Sequence, residues 1–176
     1  MQTAPAFVAP SIGTDKLKQT EEEMAKNTKP AVFNLSAQLL DQGRTDTVVA
    51  AAEDLIIRMK VYAAGGENEL HAHTGEDHSF MILQGSAKFF GPEGEEVELG
   101  QYQGIMLPKN TYYRFYATSK EPLVMIRVGS PSPRKQKPPY RLDIQGNEMR
   151  GDSKENKSVP VIFREGAYFG RAPAKG

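Results

Sequence analysis

The only three histidines of this sequence lie in one short segment, at His71, His73 and His78. Neutral imidazole is the commonest protein ligand for transition metals, and ligand sets are built from such local pairs. Side chains two positions apart on a β-strand point to the same face, so His71 and His73 can reach one point in space. This spacing predicts a divalent-metal site.

The residues around these histidines indicate how the third one joins the first two. Residues 74–77 are turn formers, and residues 79–85 have the apolar character of a buried strand. A β-hairpin over this segment would bring His78 back beside the first pair. The alternative is a hairpin whose histidines lie on the surface. The metal site is favoured because no histidine occurs elsewhere in the sequence.

Charge and composition exclude several classes of function. The chain has 176 residues, with 22 acidic and 22 basic side chains and no cysteine. Nucleic acid is not expected as a partner, since phosphate-binding surfaces are usually basic. Without cysteine there is no disulfide or thiolate chemistry. Neither a secretory signal nor a long apolar run is found, so we expect a cytoplasmic protein that has no membrane partner.

The pattern of apolar runs divides the chain into three regions. Residues 1–30 are predicted to be an N-terminal arm with one helix over 14–26, and residues 131–176 a C-terminal extension after a proline-rich linker at 130–139. Between them, residues 31–130 contain short β-rich runs separated by turns, at 32–33, 54–63, 69–73, 78–90, 95–99, 104–107, 112–117 and 123–128. This spacing predicts an all-β sandwich or barrel of jelly-roll type, over which the terminal regions wrap.

The histidine segment resembles the first sequence motif of the cupin family. The matching spacing is Gly65, five residues, His71-x-His73, four residues, His78, six residues and Gly85. In that family, two histidines and a following glutamate bind a divalent metal inside a small β-barrel. The resemblance therefore implies that His71, His73 and His78 are the metal ligands, with His78 at the glutamate position.

A looser resemblance to the second cupin motif covers residues 102–117. Pro108 stands at the motif proline, and Asn110 replaces a glycine, which is tolerable because asparagine adopts positive φ more easily than most residues. Tyr113 stands where the family has its fourth ligand, a histidine, while Tyr102 and Ala117 replace the outer glycine and asparagine. The two motifs span roughly residues 54–128 and imply a cupin barrel that forms a homodimer.

A site with three neutral ligands would leave the metal its full double charge. Such a site favours small anionic or chelating substrates, for example an enolate, a catecholate or a carboxylate. Tyr113 has three interpretations: a phenolate ligand, a hydrogen-bond donor or acid beside the ligands, or simple filling of the barrel. The donor is favoured, because ligation requires the metal to remove a proton from a group whose ordinary pKa is about 10.

The other polar residues near this segment are given structural roles. Glu76 and Asp77 are expected to be solvated in the turn. Arg58, Lys60 and Arg127 are expected on the outer face or in interface ion pairs, rather than as a clamp for a substrate carboxylate.

Four functions are compatible with this sequence. The favoured one is a non-haem Fe(II) dioxygenase acting on a small anionic organic substrate, because three histidines suit iron and O₂ and the barrel interior is aromatic. The second is a redox-neutral isomerase, lyase or cyclase, in which zinc, manganese or nickel acts as a Lewis acid and Tyr113 moves a proton. The others are a non-catalytic module that binds a small ligand and a barrel without metal. The sequence does not decide between enzyme and binder.

Overall fold

The structure is a computed structural model that describes residues 7–11, 13–130 and 137–173. Over these residues the chain forms one helix and twelve β-strands. In chain order the elements are α1 (Thr14–Met24), β1 (Ala37–Gln42), β2 (Arg44–Ala51), β3 (Ile56–Tyr62), β4 (His71–His73), β5 (Asp77–Gln84), β6 (Ala87–Phe90), β7 (Glu96–Leu99), β8 (Gly104–Leu107), β9 (Arg114–Ala117), β10 (Leu123–Ser130), β11 (Arg141–Asp143) and β12 (Ile162–Phe169). The all-β prediction is confirmed. No helix in this part of the chain is long and apolar enough to cross a membrane.

Two antiparallel sheets build the barrel and enclose its main core. One sheet has the strand order β2-β3-β10-β5-β8, and the other has the order β7-β6-β9. Phe80 of the first sheet lies with its ring centroid 5.9 Å from that of Phe89 and 5.4 Å from that of Phe115, both on the second sheet. Aromatic packing of this kind buries a large apolar area and fixes the two sheets against each other.

The outer face of the five-stranded sheet is also covered. A ribbon of β1 and β12 packs on it and places Leu40 in a second apolar cluster with Met59 and Val61 of β3. Side chains alternate along a strand, so Met59 and Val61 on the outer face put Arg58 and Lys60 on the inner face. Because the ribbon covers the apolar face of β3, the charged residues of β3 point into the barrel.

Several strand predictions need correction. β1 and β2 are absent from the predicted strands; β1 is rich in residues that prefer helices, and burial of Leu40 under the ribbon overrides that preference. Val32 and Phe33, predicted as a strand, lie in an exposed segment outside any strand. The run predicted over 78–90 is divided at Gly85 into β5 and β6, which belong to different sheets.

Both terminal regions pack on the barrel. β11 of the C-terminal extension pairs with β4, and α1 lies against β2. Gly13, the residue that precedes α1, has no side chain to cap the helix. The carboxylate of Asp152 in the extension accepts the Thr14 N–H at 2.9 Å and so caps the helix. The predicted linker at 130–139 lies mostly outside the described residues, and the predicted domain bounds stay a prediction.

Candidate functional site

β4 and β5 bring the three histidines together, although they do not form the predicted hairpin. β4 pairs with β11, whereas β5 lies between β10 and β8 in the five-stranded sheet. The chain therefore turns a corner between two sheets over residues 74–76, and the hairpin prediction is wrong. The corner still gathers the rings: the His73 centroid lies 5.3 Å from that of His71 and 4.8 Å from that of His78.

Tyr113 joins this cluster through the backbone of His71. The His71 N–H donates to the Tyr113 carbonyl at 3.1 Å, and the Tyr113 N–H donates to the His71 carbonyl at 3.0 Å. The Tyr113 ring centroid lies 4.5 Å from that of His71 and 5.4 Å from that of His78. Asn110, three residues earlier, has φ of 65°, the positive value predicted for it. Tyr113 and Phe115 are both buried in the core of the barrel.

The hydrogen bonds of His71 and His73 leave one nitrogen of each ring for a ligand. His71 Nδ1 lies 2.7 Å from the Glu69 carbonyl oxygen, which can only accept, so Nδ1 carries the proton. His73 Nδ1 lies 3.3 Å from the Glu76 carboxylate, which fixes its proton in the same way. Metal-binding histidines commonly donate their second N–H to a carbonyl or carboxylate in this manner. In both rings the lone pair is therefore on Nε2.

His78 is held differently. Its Nε2 lies 3.0 Å from the Tyr113 hydroxyl oxygen. Its Nδ1 is buried and has no hydrogen-bond partner among the residues that the structure describes. A buried polar atom without a partner carries a free-energy cost and is often found at functional sites.

Burial keeps all three imidazoles neutral. Loss of solvent, aided by the charges of Arg141 and Arg127 respectively, holds the pKa values of His71 and His73 well below their usual range. Burial, aided by the charge of Arg58, lowers the pKa of His78 to about 3. Neutral imidazole is the form that binds metal, so no proton has to leave these rings near pH 7.

These residues fit a metal in their chemistry, but they do not yet surround a common point. As arranged, the described residues contain no group of three or more histidine or acidic side chains that could hold an ion. His71 and His73 line the cavity described below, whereas the Nε2 of His78 faces Tyr113. In this arrangement the Nε2 of His78 is therefore engaged by Tyr113.

Glu76 and Arg127 form a buried ion pair behind His73. The Arg127 guanidinium donates to both carboxylate oxygens of Glu76, and the two side chains are 2% and 3% exposed. Gly129 leaves room for the pair, because a Cβ there would lie 2.7 Å from Glu76 Oε2. The expectations of a solvated Glu76 and an outer-face Arg127 are wrong: together they orient the His73 ring.

His71 and His73 open onto a cavity of about 720 Å³ that both basic and acidic side chains line. The basic lining residues are Lys18, Arg44, Arg58, Lys60, Arg127, Arg141 and Arg150, and the acidic ones are Glu21, Glu22, Asp46, Glu76, Glu148 and Asp152. Arg44 and Arg141 differ from the ion-paired cations in that their hydrogen bonds go to carbonyl and amide oxygens. Tyr62, Phe80, Tyr113 and Phe115 supply aromatic surface. Arg58 and Lys60 were also expected on the outer face, and that expectation is wrong, because the β1–β12 ribbon occupies the outer face of β3.

Comparison with known proteins identifies the barrel. Residues 58–129 match the family model described as a cupin domain. A double-stranded β-helix protein from Klebsiella pneumoniae superposes with a TM-score of 0.50 at 15% identity, over 55% of this chain and 80% of that chain. Residues 58–129 of the barrel therefore match a cupin domain, and the double-stranded β-helix fold agrees with that match. Cupins commonly bind a divalent metal.

Two further solved structures are similar at lower TM-scores. KdgF from a Halomonas species has a TM-score of 0.47 at 26% identity, over 51% of this chain and 79% of that chain. The Cnp3 cupin domain from Schizosaccharomyces pombe has a TM-score of 0.48 at 18% identity, over 53% and 68%. A search of curated proteins gave no match. The likeness concerns the fold and carries no substrate or reaction to this chain.

Proposed function

We propose that this protein is a metal-dependent cupin enzyme for a small anionic molecule, and that its reaction class is Fe(II) dioxygenation. One observation carries the proposal: three neutral imidazoles gather beside a cavity that Arg44 and Arg141 line with guanidinium groups bonded to neutral oxygens. Neutral ligands leave a bound cation its charge, and the charges of Arg44 and Arg141 add to the attraction for an anion.

His71 and His73 would hold the ion through Nε2, and His78 would join them through a ring nitrogen after leaving the Tyr113 hydroxyl. Imidazole suits Fe(II), and also Zn²⁺, Mn²⁺ and Ni²⁺. A bound ion would supply a positive charge for the substrate and the redox chemistry of the reaction with O₂. The chain itself contributes the Glu76–Arg127 pair that orients His73 and the aromatic residues that exclude water.

A redox-neutral reaction is the second candidate, and it is favoured by the contact between Tyr113 and His78. Burial raises the pKa of Tyr113 above its ordinary value, so the hydroxyl stays protonated beside His78 Nε2. A neutral phenol in a dry site can donate a hydrogen bond or deliver a proton to a substrate oxygen. Of the three interpretations of Tyr113, donor remains the one we propose.

Substitution Tyr113→Phe separates the three roles of this residue. As a donor, its loss is expected to leave metal content unchanged and to reduce turnover on the order of a hundredfold. A filler would leave both unchanged, and a ligand would lower metal content. Metal content and turnover are measured on the same preparation of each variant. Tyr112→Phe is the control, because the Tyr112 hydroxyl donates to the Asp143 carbonyl at 3.1 Å, outside the histidine cluster.

Oxygen consumption distinguishes the proposed reaction classes. Anaerobically prepared protein loaded with Fe(II) is expected to consume O₂ when mixed with one member of a panel of small carboxylic, enolic and aromatic acids. Consumption of the acid without O₂ uptake would contradict dioxygenation and support the redox-neutral candidate. The small-molecule substrate, the homodimer and the cytoplasmic location expected from the sequence stay predictions.

A further inference from the structure

Helix α1 buries a carboxylate rather than an apolar face. Glu21 is the buried residue within α1, and its side chain is 1% exposed. Helices normally dock through an apolar stripe, because burial of a carboxylate costs free energy unless the charge is paired and hydrogen-bonded. The position of Glu21 therefore needs a specific explanation.

The Glu21 carboxylate lies on Arg58 of the cavity wall. The two side chains form an ion pair, with Arg58 13% exposed. Glu21 Oε1 contacts the Arg58 guanidinium, whereas Glu21 Oε2 and Arg58 Nε are buried without a hydrogen-bond partner among the described residues. Lys60, on the same face of β3, is paired with Asp46, whose Oδ1 is buried and likewise has no hydrogen-bond partner in the described part of the chain. Polar atoms left in this state mark a place where other groups can bind better.

This place lies within a small molecule's length of the histidines. Arg58 stands directly opposite Arg127 on the neighbouring strand β10, and opposed residues have Cβ atoms about 5 Å apart. Arg127 binds Glu76, which lies 3.3 Å from His73 Nδ1. A single ion pair thus separates Arg58 from the proposed metal ligands.

We propose that Arg58 and Lys60 form a carboxylate subsite for the substrate, and that Glu21 occupies it as an internal substitute until a carboxylic acid displaces helix α1. The inference rests on the proposed function and names its substrate class: a small carboxylic acid whose carboxylate binds Arg58 and whose other end faces the histidines.

The attachment of α1 suits a displaceable element. Besides Glu21, the contacts of the helix include the Asp152 cap, Lys18 over the Tyr140 ring at 4.1 Å and the Thr20 hydroxyl 3.3 Å from that of Ser11. They also include the ion pair of Arg150 with Asp15 at 3.2 Å, in which both side chains are more than half exposed. Exposed ion pairs contribute little to stability. If a ligand binds only molecules in which α1 is displaced, its apparent affinity is lowered because most molecules have Glu21 in the subsite. Removal of the Glu21 charge is therefore expected to strengthen binding.

Benzoate binding to chelator-treated, metal-free protein tests this subsite. We expect Glu21→Gln, which keeps the shape and removes the charge, to bind benzoate on the order of tenfold more tightly than wild type by calorimetry. Glu23→Gln makes the same charge change at an exposed position of α1 and is expected to match wild type. Adding Arg58→Met to Glu21→Gln is expected to abolish the gain.

Two outcomes would overturn the inference. One is an unchanged benzoate affinity in Glu21→Gln, or an equal gain in Glu23→Gln. The other is an equal gain for benzamide, which has no charge and would show only that the cavity had opened. Because these measurements use metal-free protein, they stand or fall separately from metal binding and O₂ uptake.

Hydrogen exchange on the wild-type protein gives a second reading that needs no variant. Benzoate is expected to accelerate exchange of the α1 amides and to leave the amides of β6 and β9 unchanged. Unchanged or slower exchange in α1 at saturating benzoate would contradict displacement of the helix.

Discussion

Replacing Arg127 by methionine is expected to lower the free energy of unfolding by about 3–5 kcal/mol. Arg127 and Glu76 are 2% and 3% exposed, so loss of the guanidinium leaves a carboxylate buried without its main counter-charge. Loss of the ion pair also removes the contact that fixes the Glu76 carboxylate, which orients the His73 ring. Urea unfolding followed by circular dichroism measures the change.

Two controls isolate the buried charge as the cause. Lys88→Met breaks the exposed pair with Glu96 and is expected to cost less than about 1 kcal/mol. The double variant Arg127→Met with Glu76→Leu removes both charges and is expected to recover most of the loss, since apolar side chains can replace a buried ion pair. A single-variant loss as small as that of Lys88→Met would show that Glu76 is satisfied without Arg127.

The fold was predictable where local pattern and burial agree. Short β-rich runs separated by turns predicted the all-β barrel, and the resemblance to the second cupin motif implied the positive φ of Asn110. β1 was not predictable, because its sequence prefers a helix and only the packing of Leu40 under the ribbon makes it a strand. The corner after β4 was predicted to be a hairpin because the turn-forming residues 74–77 suit both a hairpin and a corner between two sheets.

The candidate site was predictable in part. The spacing of the histidines predicted that His71, His73 and His78 lie together, and the resemblance to the second cupin motif implied that Tyr113 lies near them; the structure brings all four together. The inward charges of Arg58, Lys60 and Arg127 were missed, since charges on one strand face usually mean solvent. The sequence did contain a signal, because Met59 and Val61 make the opposite face of β3 apolar. That pattern alone does not tell which face points into the barrel, since the apolar face is covered by the β1–β12 ribbon.

The second large effect concerns the metal itself. His71→Ala and His73→Ala are each expected to abolish divalent-metal binding, because each removes an imidazole whose Nδ1 is already held by the protein and whose Nε2 is available. Asp77→Ala is the matched control: it removes a neighbouring side chain that accepts the Lys109 N–H at 2.8 Å, and it is expected to keep the metal. Circular dichroism of each variant verifies the fold.

The most direct test of the central claim is the metal content of tag-free protein dialysed anaerobically against Fe(II), then analysed for bound metal. About one ion per chain is expected for wild type and for Asp77→Ala, and close to none for His71→Ala and His73→Ala. Wild-type protein that retains no ion, or histidine variants that retain as much as wild type, would contradict the account.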